Sequence, residues 1–281
     1  MKKRAIGFIY NTKRPTIEEK KFFKVADRMN IELVPFNLAE EIIEKEIEEK
    51  AKKCKIIYND IGDYLAEELV KTLETFGKKV VEDSRAFYDM EDKWILFLKC
   101  KKNNIPTPET ILLSANIESM KKELKDFAHW PVVLKRVQGC RGEFVERAEN
   151  IDEAVKVVKS FWEKGNERMP IIAQEYINSD SYRVTTIGSE IVQSAIKRRS
   201  GWKATGCYPD RLYKFKIDDE LEKIVKKMIK ISGIKICGID FAKQDGKWLV
   251  IEANAEPSLK LFDCEHEKLI EKTLELLLRL K

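Results

Sequence analysis

Two carboxylates and an amide late in the chain could hold a hard metal ion. Asp240 lies in Gly238-Ile239-Asp240-Phe241, and Glu252 and Asn254 lie in Trp248-Leu249-Val250-Ile251-Glu252-Ala253-Asn254-Ala255-Glu256-Pro257. The two apolar runs are parted by Gln244-Asp245-Gly246, a polar turn with an Asp-Gly pair, and read as an antiparallel hairpin. Side chains alternate across a strand, so Asp240 and Glu252 can face one way, and Asn254, two residues on, shares the face of Glu252. Magnesium keeps several waters and takes one or two carboxylates plus phosphate oxygens, so this donor set suits a metal-nucleotide complex better than an all-protein cage. The plainer alternative is a hairpin whose acids simply meet water.

Cations occur upstream at places where they could meet phosphate. Lys93 falls in the first turn of a helix expected from about Glu91 to Asn104 and closed by Ile105-Pro106-Thr107-Pro108. A lysine there opposes the helix dipole, so its placement points to a partner charge; an ordinary solvated lysine is the alternative. Lys135 ends an apolar strand, Pro131 to Arg136, and precedes a loop punctuated by Gly139 and Gly142. Glycines let backbone N–H groups approach phosphate oxygens, although many such loops are plain turns. Ile171 to Ile177 is a buried strand that loses its apolar pattern at Glu175. A hairpin turned at Gly188-Ser189 leads to Lys197-Arg198-Arg199, where Arg198 and Arg199 point to opposite faces. The stretch 200–216, with Gly201, Gly206, Lys203, Arg211 and Lys214, is a glycine-containing basic loop, either a lid over a reaction centre or an exposed charged loop for nucleic acid.

The elements needed to hold these groups are legible in outline. Ala5 to Tyr10, Ile31 to Phe36 and Ile56 to Tyr58 are short apolar strands. They alternate with helices: one opened by the capping-box spacing Thr16-Ile17-Glu18-Glu19, one from Glu40 to Lys53, and one from about Tyr64 to Phe76 stopped by Gly77. That alternation implies a small parallel α/β domain ending near residue 88. Ligands in such sheets sit at the carboxyl ends of strands, so Tyr10-Asn11, Asn59-Asp60 and Glu82-Asp83-Ser84 are either substrate contacts or turn and cap residues. Further on, strands at Glu109 to Leu113 and Pro131 to Arg136 alternate with helices at Ile117 to Phe127 and Asp152 to Trp162.

A chain of 281 residues with 43% hydrophobic residues has room for two or three subdomains. No apolar run approaches a membrane span, and the stretch after Met1-Lys2-Lys3-Arg4 is too short for a signal segment, so a cytoplasmic protein without a membrane partner is expected. Cys54, Cys100, Cys140, Cys207, Cys237 and Cys264 form no Cys-x-x-Cys pair, which speaks against a zinc ribbon or disulfide framework. His129 and His266 lack metal-ligand spacing and are expected to be structural. The net charge of +5 suits anionic small molecules, and no aromatic-interleaved basic stripe favours nucleic acid.

Taken in order, Lys93 after Asp92, Lys135 before its glycine loop, Gln174-Glu175-Tyr176-Ile177, Lys197-Arg198-Arg199 and the Asp240/Glu252/Asn254 hairpin resemble the ATP-grasp superfamily. The match is closest to its RimK glutamate-ligase branch, which includes the LysX-type amino-acid ligases. The resemblance covers roughly residues 90 to 281. It implies an α/β and α+β architecture: a small parallel α/β N-terminal domain over residues 1–88, a central lobe over 89–173, and a C-terminal lobe over 174–281 carrying the metal site, the two α+β lobes clamping ATP.

The same resemblance implies roles. Lys93 and Lys135 would bind the α and β phosphates, with Gly139, Gly142, Lys203 and Thr205 nearby. The adenine would lie against Gln174, Glu175, Tyr176 and Ile177, with Glu175 at the ribose or adenine edge. Asp240, Glu252 and Asn254 would hold Mg2+ or Mn2+, as two ions. Lys135 and Arg198 would be catalytic, Arg198 as the fixed cation beside the transferring phosphoryl group, and Arg183, Arg198, Arg211 and Asn11 would contact substrate. The implied activity is ATP-dependent joining of an amine, such as glutamate, to a carboxylate of a small molecule or peptide through an acyl phosphate. A homo-oligomer is compatible with it.

Departures from the family pattern touch substrate rather than ATP. Thr205 stands where an asparagine is usual, Ser181 where an aspartate is usual, Glu143 at a common glycine, and Asn-Ala-Glu-Pro-Ser replaces Asn-x-Ser-Pro-Gly. A non-catalytic ATP-binding module and a small-molecule kinase are the alternatives.

Overall fold

Strand and capped helix alternate through the first part of the chain. In the computed structural model, which describes residues 3–139, 142–165, 168–198, 201–203 and 212–280, β1 (Arg4–Tyr10) leads into α1 (Ile17–Arg28), where Thr16 and Glu19 close the capping box. Then follow β2 (Ile31–Asn37), α2 (Glu44–Lys53), β3 (Ile56–Asn59), α3 (Tyr64–Thr75) and β4 (Val80–Val81). The strands pair in parallel in the order β2-β1-β3-β4. A parallel sheet needs cover on both faces. Here α2 and α3 supply one face, packing Leu69 and Leu73 against Ile9 and Ile57. The other face takes α1 and, from the far end of the chain, α9 (Asp263–Arg279).

The helix expected from residue 91 is two helices, α4 (Ser84–Glu91) and α5 (Lys93–Lys102), broken at Asp92. The Asp92 carboxylate accepts from the backbone N–H groups of Trp94 and Ile95 and so caps α5. Next come β5 (Thr110–Leu112), α6 (Ile117–Phe127), β6 (Val132–Arg136), β7 (Val145–Ala148), α7 (Ile151–Lys164) and β8 (Ile171–Glu175). Their strands form an antiparallel sheet in the order β5-β8-β6-β7, with Met120, Leu124, Val158 and Phe161 of its helices on one face. A third sheet, also antiparallel, runs β11-β10-β9-β12-β13. It is built from β9 (Ser181–Ile187), β10 (Glu190–Lys197), β11 (Leu212–Tyr213), β12 (Ile236–Gln244) and β13 (Lys247–Asn254), with α8 (Asp219–Ser232) between β11 and β12.

The cores do not follow chain order. Met90, Leu96 and Cys100, from α4 and α5, pack with α8 against the third sheet, on Val184, Ile239 and Phe241. Leu269, Ile270, Leu274 and Leu277 of α9 complete the core of the first sheet with Phe8, Phe22 and Tyr58. Boundaries at 88 and 173 therefore cut the sequence where the packing is shared, and 173 falls inside β8. Among the described residues no helix is long and apolar enough to cross a membrane.

Candidate active site

Two adjoining cavities open between the second and third sheets. The larger, of about 640 Å³, has Lys93, Lys135, Arg183, Asp240, Glu252 and Asn254 in its wall. The smaller, about 80 Å³, is bounded by Val133, Gln174, Glu175, Tyr176, Ile177 and Ile251, among others. Lys135 and Asp240 stand at the junction and line both.

A bulge sets the acids in place. From the turn, Gln244 pairs with Lys247 and Phe241 with Val250, but Asp240 pairs with Glu252, so Ile251 is an extra residue on β13. Trp248 and Val250 face the core. Simple alternation would send Glu252 after them, and the extra residue turns it to the cavity instead. Ile251 meets the smaller cavity, while Glu252 and Asn254 meet the larger one beside Asp240. Three hard oxygen donors on one wall fit a magnesium or manganese ion coordinated partly by phosphate oxygens.

Each acid faces a cation. Lys93, 7% exposed, directs its Nζ to Glu252 Oε1 at 3.1 Å and to the carbonyl of Gly139 at 3.1 Å. That answers why a lysine opens α5. Arg183, opposite Asp240 in register on β9, grips it bidentately, with Nε donating to Oδ1 at 2.8 Å. Lys135 donates to Gln174 Oε1 at 2.7 Å. Burial pushes the Lys135 ammonium down to about 8, against the pull of Glu252 upward. Burial alone would raise the Glu252 carboxyl, but Lys93, Lys135 and Arg183 override it and hold it below its ordinary value. Gly139 and Gly142, with φ of 144° and 70°, both line the larger cavity in backbone conformations that side chains disfavour.

The adenine-side expectations divide. Tyr176 and Ile177 line the smaller cavity, and Lys203 joins them, donating to the carbonyl of Val145 at 2.8 Å. Glu175 is at its rim, accepting from Gln244 Nε2 at 3.3 Å. Gln174 is buried, and its side chain is spent on Lys135 and Thr110.

Strand β10 ends at Lys197, and Lys197 lines the larger cavity. Arg198 is in the lining of neither cavity; 66% exposed, it pairs at 2.6 Å with Asp180, which lines the smaller one. Asn11 is also away from both cavities, donating to Asp63 at 2.9 Å. Thr205, Arg211, Arg199, Cys140 and Cys207 lie outside the described residues.

Of the first-domain candidates, Asp60 reaches the larger cavity, with Glu18 and Phe22 from α1 and Glu256 from the loop after β13. Burial pushes the Asp60 carboxyl up to about 7, with Tyr58 OH donating to it at 3.0 Å. Asn59 donates to Glu256 at 3.1 Å, Glu91 and Glu256 share a hydrogen bond, and burial raises both carboxyls. Glu82 and Asp83 are structural: Glu82 accepts from the N–H groups of Lys235 and Ile236 at 2.9 and 2.7 Å, and Asp83 caps α4. Glu18 lines the larger cavity, Glu91 stands behind Glu256 and Thr110 behind Gln174, and no site motif pointed to any of the three.

A cleft between two antiparallel sheets, with cations and carboxylates in its wall, belongs to an ATP-dependent ligase that joins a carboxylate to an amine. The chain belongs to the RimK-like ATP-grasp domain family, whose pattern matches residues 90–277. Among curated relatives it is 29% identical over 216 residues to the coenzyme gamma-F420-2:alpha-L-glutamate ligase of Methanococcus maripaludis, covering 72% of this chain and 73% of that one. It is 28% identical over 194 residues to the alpha-aminoadipate--LysW ligase LysX of Saccharolobus solfataricus, covering 67% and 70%. The fold is also that of a D-alanine--D-alanine ligase from Bacillus anthracis, at a TM-score of 0.74 and 19% identity over 99% of this chain and 97% of that one. A RimK domain ATP-grasp protein from Sphaerobacter thermophilus superposes at a TM-score of 0.74 and 17% identity over 98% and 99%.

Proposed function

We propose that this ligase joins an amino acid, such as glutamate, to the carboxylate of a small molecule or peptide in two chemical steps. The observation that carries the assignment of roles is the gathering of Asp240 and Glu252 with Lys93, Lys135 and Arg183 in one cavity that runs on into a smaller slot. The base lies in the slot against Tyr176, Ile177 and Ile251, and the triphosphate extends between Lys93 and Lys135. A magnesium or manganese ion held by Asp240, Glu252 and Asn254 neutralises charge on the phosphates when bound.

The substrate carboxylate attacks the γ-phosphorus, the bond to the β-phosphate oxygen breaks, and ADP leaves. Lys197 is the cation beside the transferring group, in the role that the motif assigned to Arg198. The incoming ammonium gives up one proton to become the attacking amine, its nitrogen adds to the acyl carbon, phosphate departs, and the nitrogen loses a second proton to leave the amide. The amine enters from the end walled by Glu18, Asp60 and Glu256, acids matched to a protonated amino group, while Phe22 and Leu259 keep that end apolar.

The test is turnover of MgATP with panels of acids and amines, following ADP, phosphate and amide by mass spectrometry. Equimolar ADP and amide, dependent on both co-substrates, is expected. A stable phosphorylated product without amide would make the protein a kinase. Absence of turnover across a broad panel by protein that binds MgATP would make it a binding module.

A further inference from the structure

A chain of buried polar groups runs away from the phosphate end of the cleft and ends in backbone. Lys135 Nζ donates to Gln174 Oε1 at 2.7 Å, Gln174 Nε2 donates to Thr110 Oγ1 at 2.9 Å, and Thr110 Oγ1 donates to the carbonyl of Pro108 at 3.0 Å. Lys135, Gln174 and Thr110 are 7, 5 and 3% exposed, so water does not stand in for any of these partners. The direction of every bond is determined. The Thr110 hydroxyl has one proton, which goes to Pro108, so its oxygen must accept from Gln174. That turns the amide of Gln174, and its carbonyl oxygen faces the ammonium. The opposite orientation would set an NH2 group against a cation.

The sheet register explains the alignment. Thr110 on β5 is directly across from Gln174 on β8, and Gln174 is across from Val133 on β6, two residues from Lys135. All four side chains lie on the face toward the cleft, where Val133 and Gln174 line the smaller cavity. Lys135 has an alternative partner in the cleft, since Glu252 is near enough to act on its charge. A lysine released from Gln174 would fold toward that acid and occupy the place of the metal and phosphates.

We propose that Thr110 and Gln174 are positioning residues that hold the Lys135 ammonium at the junction of base slot and phosphate cavity, set back from the metal-binding acids. Gln174 thereby contributes its side chain to the phosphate end rather than to recognition of the base. Thr110 acts without touching nucleotide.

The claim rests on the ATP site described above and is tested on nucleotide binding alone. Calorimetric titration with magnesium and a non-hydrolysable ATP analogue is performed on wild type, Thr110→Val, Thr110→Ser and Gln174→Met. Valine keeps the β-branched shape and removes one buried hydrogen bond, so Thr110→Val should weaken nucleotide binding by about tenfold. Thr110→Ser, which restores the hydroxyl, should return to within about threefold of wild type by the same scale. Gln174→Met should weaken binding further and move its alkaline loss to lower pH, because the ammonium loses the acceptor that stabilises its charged form. Should Thr110→Val fail to fold, Gln174→Met carries the test. Wild-type affinity and pH profile in both valine and methionine variants, or a loss of melting temperature with nucleotide affinity unchanged, would overturn the proposal. A wild type that binds no nucleotide would overturn the ATP site itself, a different result from wild-type binding preserved in the variants.

Discussion

Lys135 carries a charge that the fold makes expensive, and the expense has a measurable signature. Its ammonium titrates near 8, whereas a lysine of the unfolded chain keeps its proton to about 10.4. Between these values the unfolded state binds more protons, so this group makes folding more favourable as the pH rises. Phosphate binding responds in the opposite sense, because it needs the cation. The affinity for MgATP should hold below about pH 7 and fall as the pH passes 8, and Lys135→Met should bind weakly with that fall removed. The same alkaline fall in Lys135→Met would assign it to another group. A second expectation separates Lys197 from Arg198. Removing a cation that faces the transferring group typically lowers kcat by about a hundredfold or more, whereas an exposed ion pair is worth about 0–1 kcal/mol. Lys197→Ala should therefore lower kcat by about two orders of magnitude, and Arg198→Ala should stay within about threefold of wild type. Steady-state rates that reverse this order would restore Arg198 to the role suggested by its motif.

At the scale of elements, the hairpin that carries the acids depends on close approach at Gly238. A Cβ there would meet Pro257 Cβ at 2.9 Å, and Pro257 lies in the loop that follows Asn254. Gly238→Ala should push that loop outward, destabilise the protein by about 1–3 kcal/mol, and raise the magnesium concentration needed for half-maximal activity. A thermal melt and a magnesium titration check the two effects, and an unchanged magnesium requirement would detach the loop from the metal site. The hairpin shows what could be read in advance and what could not. Its strands, its Asp-Gly turn and its three donors are local features, visible as apolar runs and turn residues. The bulge at Ile251 is not, because it is decided by which face the third sheet buries. Alternation along β13 taken alone places Glu252 with Trp248 and Val250 in the core. The placing of Lys197 against Arg198 was hidden for a related reason. Basic residues in a row sit at a strand end, and only the register with β9, where Lys197 lies opposite Ser181, brings Lys197 to the cavity. Thr110 was beyond reach, since one threonine in a three-residue strand has no pattern until β8 is laid beside it. The first sheet and its capping box needed only neighbours in sequence, and these came through.

Across the whole molecule, the end of the chain returns to its beginning. The strand that presents Glu252 and Asn254 leads within a few residues to Leu259 and then α9, and both pack on the first sheet. Glu82, after β4, accepts from the backbone at the start of β12, a second tie between that sheet and the hairpin that carries Asp240 and Glu252. The first sheet therefore cannot complete its core from residues 1–88. Without α9 the face of Phe8 and Tyr58 would be covered by α1 alone, and at about 25 cal/mol per Å2 of apolar surface the few side chains so uncovered are comparable to the margin of about 5–15 kcal/mol that holds a domain together. Ile270, fully buried in that core, is the sharpest probe. Ile270→Ala should cost about 2–5 kcal/mol and lower the melting temperature of the whole chain in one transition, with MgATP at a hundred times its Kd returning about 2.7 kcal/mol. A fragment of residues 1–88 should show no cooperative unfolding by circular dichroism. Cooperative melting of that fragment, or an Ile270→Ala protein in which the nucleotide-protected lobes melt apart from the first sheet, would mean that the first sheet stands alone and that substrate and nucleotide ends of the cleft are not mechanically joined through α9.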